Sequence, residues 1–188
     1  NSPVTVSGNH AEIGGYLHHV LRMLKMASAS LSIYSQVNRD LLISGIILHD
    51  IGCFKTVKVT SDGGIEMTKF GNLWSNEQMT QLLLHDAAVK KGINVAGEEM
   101  CNLLHIVGTA FSVLNYKAAK PCTVEAWTIA SLNYYDAKMA LWEAANDHLV
   151  PGEFGNGVDD VFYGVRPYLA NISCSNECDA AVKTSKEQ

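Results

Sequence analysis

Asn38-Arg39-Asp40-Leu41-Leu42-Ile43-Ser44-Gly45-Ile46-Ile47-Leu48-His49-Asp50-Ile51-Gly52 is the stretch on which the fold turns. Asn38 is a good helix N-cap, and Asp40 puts negative charge in the first turn, where the helix dipole favours it. From Leu41 to Leu48 the side chains are apolar on nearly every side, which predicts a central, buried helix with Gly52 placed to end it. At the far end stands His49-Asp50. A carboxylate is poorly placed at a helix C-terminus, where the backbone dipole is negative, and burial makes its charge costlier still. Something positive has to compensate it. Neighbouring residues point about 100° apart on a helix, so His49 and Asp50 converge on one ion only where the helix ends and the ion sits beyond its last turn. A hydrogen-bonded His-Asp pair at a frayed terminus uses the same residues.

Upstream of this stretch, residues 1–13 are rich in Ser, Pro, Gly and Asn without a period and read as an extended lead-in. Leu17, Val20, Leu21, Leu24, Ala27 and Leu31 then recur at three- and four-residue steps, an amphipathic helix from Tyr16 to about Tyr34 entered through Gly14-Gly15. Those glycines let the preceding backbone pack close to a neighbouring helix, bringing one imidazole of the His18-His19 pair over the His49-Asp50 end; for His18 the surface reading is preferred. Two imidazoles and a carboxylate suit Zn, Fe, Mn or a similar ion, with a fourth ligand wanted from elsewhere.

Downstream, Val57, Val59, Ile65 and Met67 flank Ser61-Asp62-Gly63-Gly64, so Thr56 to Phe70 reads as a β-hairpin or long loop. Helical periodicity returns over Ser75–Lys91, Gly97–Thr109 and, most strongly, Thr123–His148, with Thr123 as N-cap. The expected architecture is all-α, a helical bundle over residues 14–172 with one small β-hairpin excursion and a polar tail at 173–188. His85-Asp86 reads as a solvated pair, His105 as a hydrogen-bonded core residue, and His10 and His148 carry no spacing signal. Trp74, Trp127 and Trp142 read as packing residues, and Cys174 and Cys178 lack zinc-binding partners.

The chain has 188 residues, 14 Lys plus Arg against 19 Asp plus Glu, and a formal charge of −5, which argues against a broad basic nucleic-acid surface. Its longest apolar run is far short of the roughly 20 residues of a membrane helix, so no transmembrane segment is expected. Five scattered cysteines without a C-x-x-C pair or a signal peptide fit a reducing cytoplasm. The chain begins at Asn1 rather than a methionine, which fits a piece of something longer.

Gly14-Gly15-Tyr16-Leu17-His18-His19, Asn38-Arg39-Asp40-Leu41-Leu42 and Ile47-Leu48-His49-Asp50-Ile51-Gly52, in that order, resemble the HD-domain superfamily of metal-dependent phosphohydrolases. The likeness is closest to the HD domain of bacterial 3′-to-5′ exoribonucleases that carry a nucleic-acid-binding OB domain upstream. Glu125-Ala126, Asp136-Ala137-Lys138-Met139, Pro151-Gly152-Glu153-Phe154 and Phe162-Tyr163 look like later landmarks of the same family, and the resemblance spans approximately residues 9–169.

The resemblance implies metal ligands at His19, His49 and Asp50, and a later Asp whose position is taken by Asn133. The family's Gly-His element corresponds to Ser75-Asn76, its paired histidines to Ala110-Phe111, and its lysine after His-Asp-x-Gly to Cys53, with Lys55 as a substitute phosphate binder. Alanine and phenylalanine offer no donor atom, so a second metal site of the usual type is excluded. Asparagine still ligates through its carbonyl oxygen, though as a neutral and weaker ligand. Asp136, one turn from Asn133, is expected on the substrate side, with an axial offset of roughly 4.5 Å that makes ligation the minor alternative. The implied activity is hydrolysis of a nucleotide phosphoester or an RNA or DNA 3′ end, using one divalent ion (Mn, Fe, Zn, Ni or Mg). His49 and Asp50 would be the catalytic pair, and Lys55 and Asp136 the substrate contacts. The alternative is a catalytically inactive HD-like domain that serves as a binding or scaffold module.

Overall fold

The structure is a computed structural model that describes residues 3–6, 9–110, 119–155 and 166–172. Its elements run α1 (Gly15–Leu31), α2 (Arg39–Leu48), α3 (Cys53–Thr56), β1 (Val57–Val59), β2 (Ile65–Met67), α4 (Lys69–Leu73), α5 (Asn76–Lys90), α6 (Glu98–Thr109) and α7 (Val124–Asn146). The fold is all-α with one antiparallel hairpin, Val57 pairing with Met67 and Val59 with Ile65. The chain divides into two compact units, Asn1–Ala140 and Leu141–Gln188. Phe111, Phe162, Tyr163, Cys174, Cys178 and the tail from 173 lie outside the described residues. Among the described residues, no helix is long and apolar enough to cross a membrane.

In the first unit, α2 is the central element, packed against α1 and α6. The Asn38 side chain accepts the Leu41 amide at 3.0 Å, and Leu42 and Ile46 are fully buried. Burying each such side chain contributes about 1.5–3 kcal/mol. Gly45 is required by packing, because a Cβ there would run into Ile129 and Ile106. Met23, Ile106 and Ile129 complete this core, and a smaller cluster of Leu84, Ala88, Met100 and Val107 joins α5 to α6.

Several local expectations differ from what is observed. Helix α2 ends at Leu48, and Gly52 is not its left-handed cap: with φ −56 it opens α3. Glycine is needed there because a Cβ would strike the Asn76 carbonyl and crowd Thr80. Gly15 likewise packs against the lead-in rather than a neighbouring helix, the obstacle to a Cβ being the His10 carbonyl. The lead-in itself is folded back, with Val4 in the core and its amide donating to the His10 carbonyl at 3.2 Å. Turn-forming composition is compatible with either course, and a single buried histidine leaves no period to read. Lastly, Lys69–Leu73 is helical, capped by the Thr68 hydroxyl on Gly71, with none of its residues buried. Trp74 and Trp127 are therefore less packed than expected, at 44% and 53% exposed.

The second unit holds the last residues of α7 and an antiparallel bridge between Phe154 and Tyr168. Their rings lie 4.8 Å apart, and Gly152 and Gly155 donate to Leu169 and Pro167 at 2.7 Å each.

Candidate metal centre

His49 and Asp50 follow directly on α2, where the helix stops. The His49 Nδ1 is 2.8 Å from the Ile46 carbonyl, which can only accept, so Nδ1 carries the proton and the neutral ring turns the Nε2 lone pair inward. His19 reaches the same point from α1. Its Nδ1 is 2.6 Å from Asp136 Oδ2, which likewise places the proton on Nδ1 and leaves Nε2 as the inward atom. Asp50 is held by its other oxygen: the Asn76 Nδ2 donates to Oδ1 at 2.6 Å, and Oδ2 accepts no hydrogen bond although it is buried.

The three inward atoms form a triangle, with His19 Nε2 3.2 Å from His49 Nε2, His49 Nε2 3.3 Å from Asp50 Oδ2, and His19 Nε2 3.8 Å from Asp50 Oδ2. A point equidistant from all three lies about 2.0 Å from each, the bond length of a first-row divalent ion to imidazole nitrogen or carboxylate oxygen. Three lone-pair atoms around one buried point repel one another unless a cation or a proton stands between them. The donor set therefore fits a divalent ion, and these residues form a group able to hold one.

Protons answer to the same field. Burial pulls the His49 imidazole down, but the adjacent Asp50 carboxylate and the Ile46 carbonyl outweigh this and the net direction is up. Burial lowers His19 despite the Asp136 bond. Asp50, which burial alone would raise, is lowered by the His49 charge. Cys53 is pushed up to about 12 by burial and by Asp50, so it is an inert packing thiol. Tyr16, raised to about 12 by burial, donates its hydroxyl to the Ile47 carbonyl.

Other expected site residues fall as follows. Asn133 is buried on α7, and its Nδ2 donates to the Ala110 carbonyl at 3.1 Å, which leaves Oδ1 as the atom of that amide with a lone pair to offer. Lys55 is exposed on α3. Asp136, expected to face substrate, is instead 1% exposed with its oxygens committed at 2.6 Å each to His10 Nε2, His19 Nδ1 and Arg22 Nε. Burial pushes its carboxyl up, but the bonds from His10 and His19 hold it well below the usual carboxylate range. His10 carries no spacing signal in the sequence, yet it is buried against His19 with ring centres 4.9 Å apart. The only hint in the sequence is that it precedes Gly14-Gly15. Asn76 gave none as a partner of Asp50.

His18 is exposed and pairs with Glu12, and His85 with Asp86 is an exposed pair at 3.6 Å. His105 accepts the Cys122 amide at 2.9 Å. A groove of about 890 Å³ lies at the opposite end of α2, between Asn38 and the start of α6. Asp40, Glu98 and Glu99 line it, so its charge disfavours phosphate.

Comparison with known proteins finds relatives named 3′-5′ exoribonuclease YhaM. The chain is 33% identical to the one from Geobacillus sp. (strain WCH70) over 153 residues, which are 81% of this chain and 46% of that protein. It is 32% identical to the one from Bacillus pumilus, covering 81% and 48%, and 29% identical to the one from Bacillus subtilis, also covering 81% and 48%. The chain thus spans about half the length of the curated relatives it matches. No protein-family model matches it, and no solved structure does.

Proposed function

We propose that this chain is an HD-type phosphohydrolase that holds one divalent ion on His19, His49 and Asp50, with Asn133 as a fourth and weaker donor, and cleaves a nucleotide or the 3′ end of an oligonucleotide. The observation that carries this reading is the hydrogen-bond accounting at the triad: both Nδ1–H groups are donated elsewhere and Asp50 Oδ2 accepts nothing, so three lone pairs face one point. The name borne by the relatives supports RNA as the substrate class. An upstream OB-type domain holding the strand belongs to the same reading, because an acidic chain has little surface of its own for RNA. A reducing cytoplasm belongs to it too, since Cys53, Cys101 and Cys122 are unpaired.

When bound, a divalent ion would supply Lewis acidity, acidifying a water and polarising a phosphoryl oxygen. The chain's own residues do the rest. Asn76 fixes Asp50 by Oδ1 so that Oδ2 stays turned toward the imidazoles. The Ile46 carbonyl fixes the His49 ring. Asp50 orients the attacking water, and Lys55 neutralises phosphate charge from α3. Ala110 lacks a donor atom, which supports one ion rather than two.

The test joins metal analysis of protein purified without chelator to hydrolysis of a generic phosphodiester and of single-stranded RNA in added Mn²⁺. Stoichiometric ion, and turnover abolished by His49→Ala, are expected. An empty site without turnover overturns the reading.

One observation favours a second reading, a catalytically inactive HD-like binding or scaffold module: His19, His49 and Asp50 are each 0% exposed. An ion so enclosed would tie α1 to α2 without meeting substrate. Stoichiometric ion with no turnover on either substrate selects this reading.

A further inference from the structure

Resting on the metal reading of the triad, we propose that His10, Asp136 and Arg22 form a positioning device for His19, fixing the tautomer and ring plane with which it offers Nε2. Two groups of His and Asp donors meet at His19, one at each ring nitrogen, and their spacing separates their roles. Around Nε2 the donors stand 3.2 to 3.8 Å apart. Around Nδ1, Asp136 Oδ2 lies 2.6 Å from both His19 and His10. Two atoms bound to one ion at about 2.1 Å each sit about 3 Å apart or more, so the 2.6 Å contacts are proton-bearing hydrogen bonds rather than a second ion site.

A ligating imidazole whose other nitrogen donates to a carboxylate is held in one tautomer and is a more basic ligand. Here the carboxylate is itself held on both oxygens, by Arg22 Nε on Oδ1 at 2.6 Å and by His10 on Oδ2. Without His10, Asp136 Oδ2 keeps only its bond to His19 itself and the carboxylate is oriented from outside by Arg22 alone, which weakens its hold on the plane of the His19 ring. The chain goes to some length to bring His10 in. Its backbone has φ 54, a left-handed conformation that is strained for a residue with a Cβ. Its carbonyl occupies the space that only a glycine at position 15 leaves open.

The experiment uses the whole chain, stripped with chelator and titrated with Co²⁺, comparing wild type with His10→Leu, which keeps bulk without a donor, and His10→Gln, which restores an N–H near the Nε2 position. Circular dichroism establishes that each variant is folded. We expect His10→Leu to weaken Co²⁺ binding about 10- to 100-fold and to shift the visible absorption bands, with His10→Gln recovering most of the loss. In metal-free wild type at pH 8, long-range ¹H–¹⁵N NMR should show His19 protonated on Nδ1. Equal affinity and spectra for wild type and His10→Leu overturn the positioning role while leaving the triad standing. A wild type that takes up no Co²⁺ overturns the triad reading, and the His19 tautomer then decides this proposal by itself: Nδ1–H supports it, and Nε2–H or a mixture overturns it.

Discussion

The Nε2 atoms of His19 and His49 face each other at 3.2 Å, each on a ring whose Nδ1 proton is already given to an oxygen elsewhere. Two neutral imidazoles so arranged present lone pair to lone pair, with the Asp50 carboxylate closing the third side. The energetics of the site follow from what stands between them.

In metal-free protein a proton takes that place. The folded-state pKa of His49 is raised, so its contribution to stability is complete below about pH 6.5 and is lost as pH rises through the raised value. A bound ion removes that dependence, because it competes with the proton for the same atoms. Melting curves with chelator and with Mn²⁺, taken from pH 6 to 9, should therefore diverge as pH rises. A constant gap contradicts the exchange of proton for ion.

Asn133→Asp restores a carboxylate to the position where asparagine stands. Ion affinity by titration calorimetry should rise about tenfold or more, since charge count among oxygen ligands sets affinity. The same change removes the donor to the Ala110 carbonyl and adds a buried anion, so the metal-free variant should lose about 1–3 kcal/mol. Unchanged affinity places Asn133 outside the ligand set.

Gly52→Ala should cost about 1–3 kcal/mol by overpacking against the Asn76 carbonyl. It should also loosen the ion, because Asn76 is what fixes Asp50. Gly63→Ala, at φ 86 in the hairpin turn with open space around it, is the control: it strains the backbone but leaves ion affinity alone. Equal affinities for the two variants would argue that Asn76 has no hold on the site.

Cys53, buried and pushed up to about 12, should resist iodoacetamide at pH 8 in folded protein while the exposed Cys101 and Cys122 react. Peptide mapping reads the difference, which should vanish in urea. Alkylation of Cys53 under native conditions means that the core around the start of α3 opens.

The long helices α1, α2, α5, α6 and α7 and the place of the hairpin are legible in the residues alone, because apolar period, capping residues and turn glycines act over a few neighbours; the short α3 and α4 and the role of Gly52 are not. Also legible is that His49 and Asp50 emerge together where a helix dipole is unfavourable to a carboxylate. Which atoms of His19, His49 and Asp50 face one another, and that Asp136 is spent on imidazoles instead of an open surface, follow from the packing of distant helices. His10 and Asp136 are 126 residues apart. Asn76 and Asp50 are joined by one amide turned the right way. Pairings of that kind depend on which helix faces meet, and each involves one polar side chain that adds nothing to any local pattern.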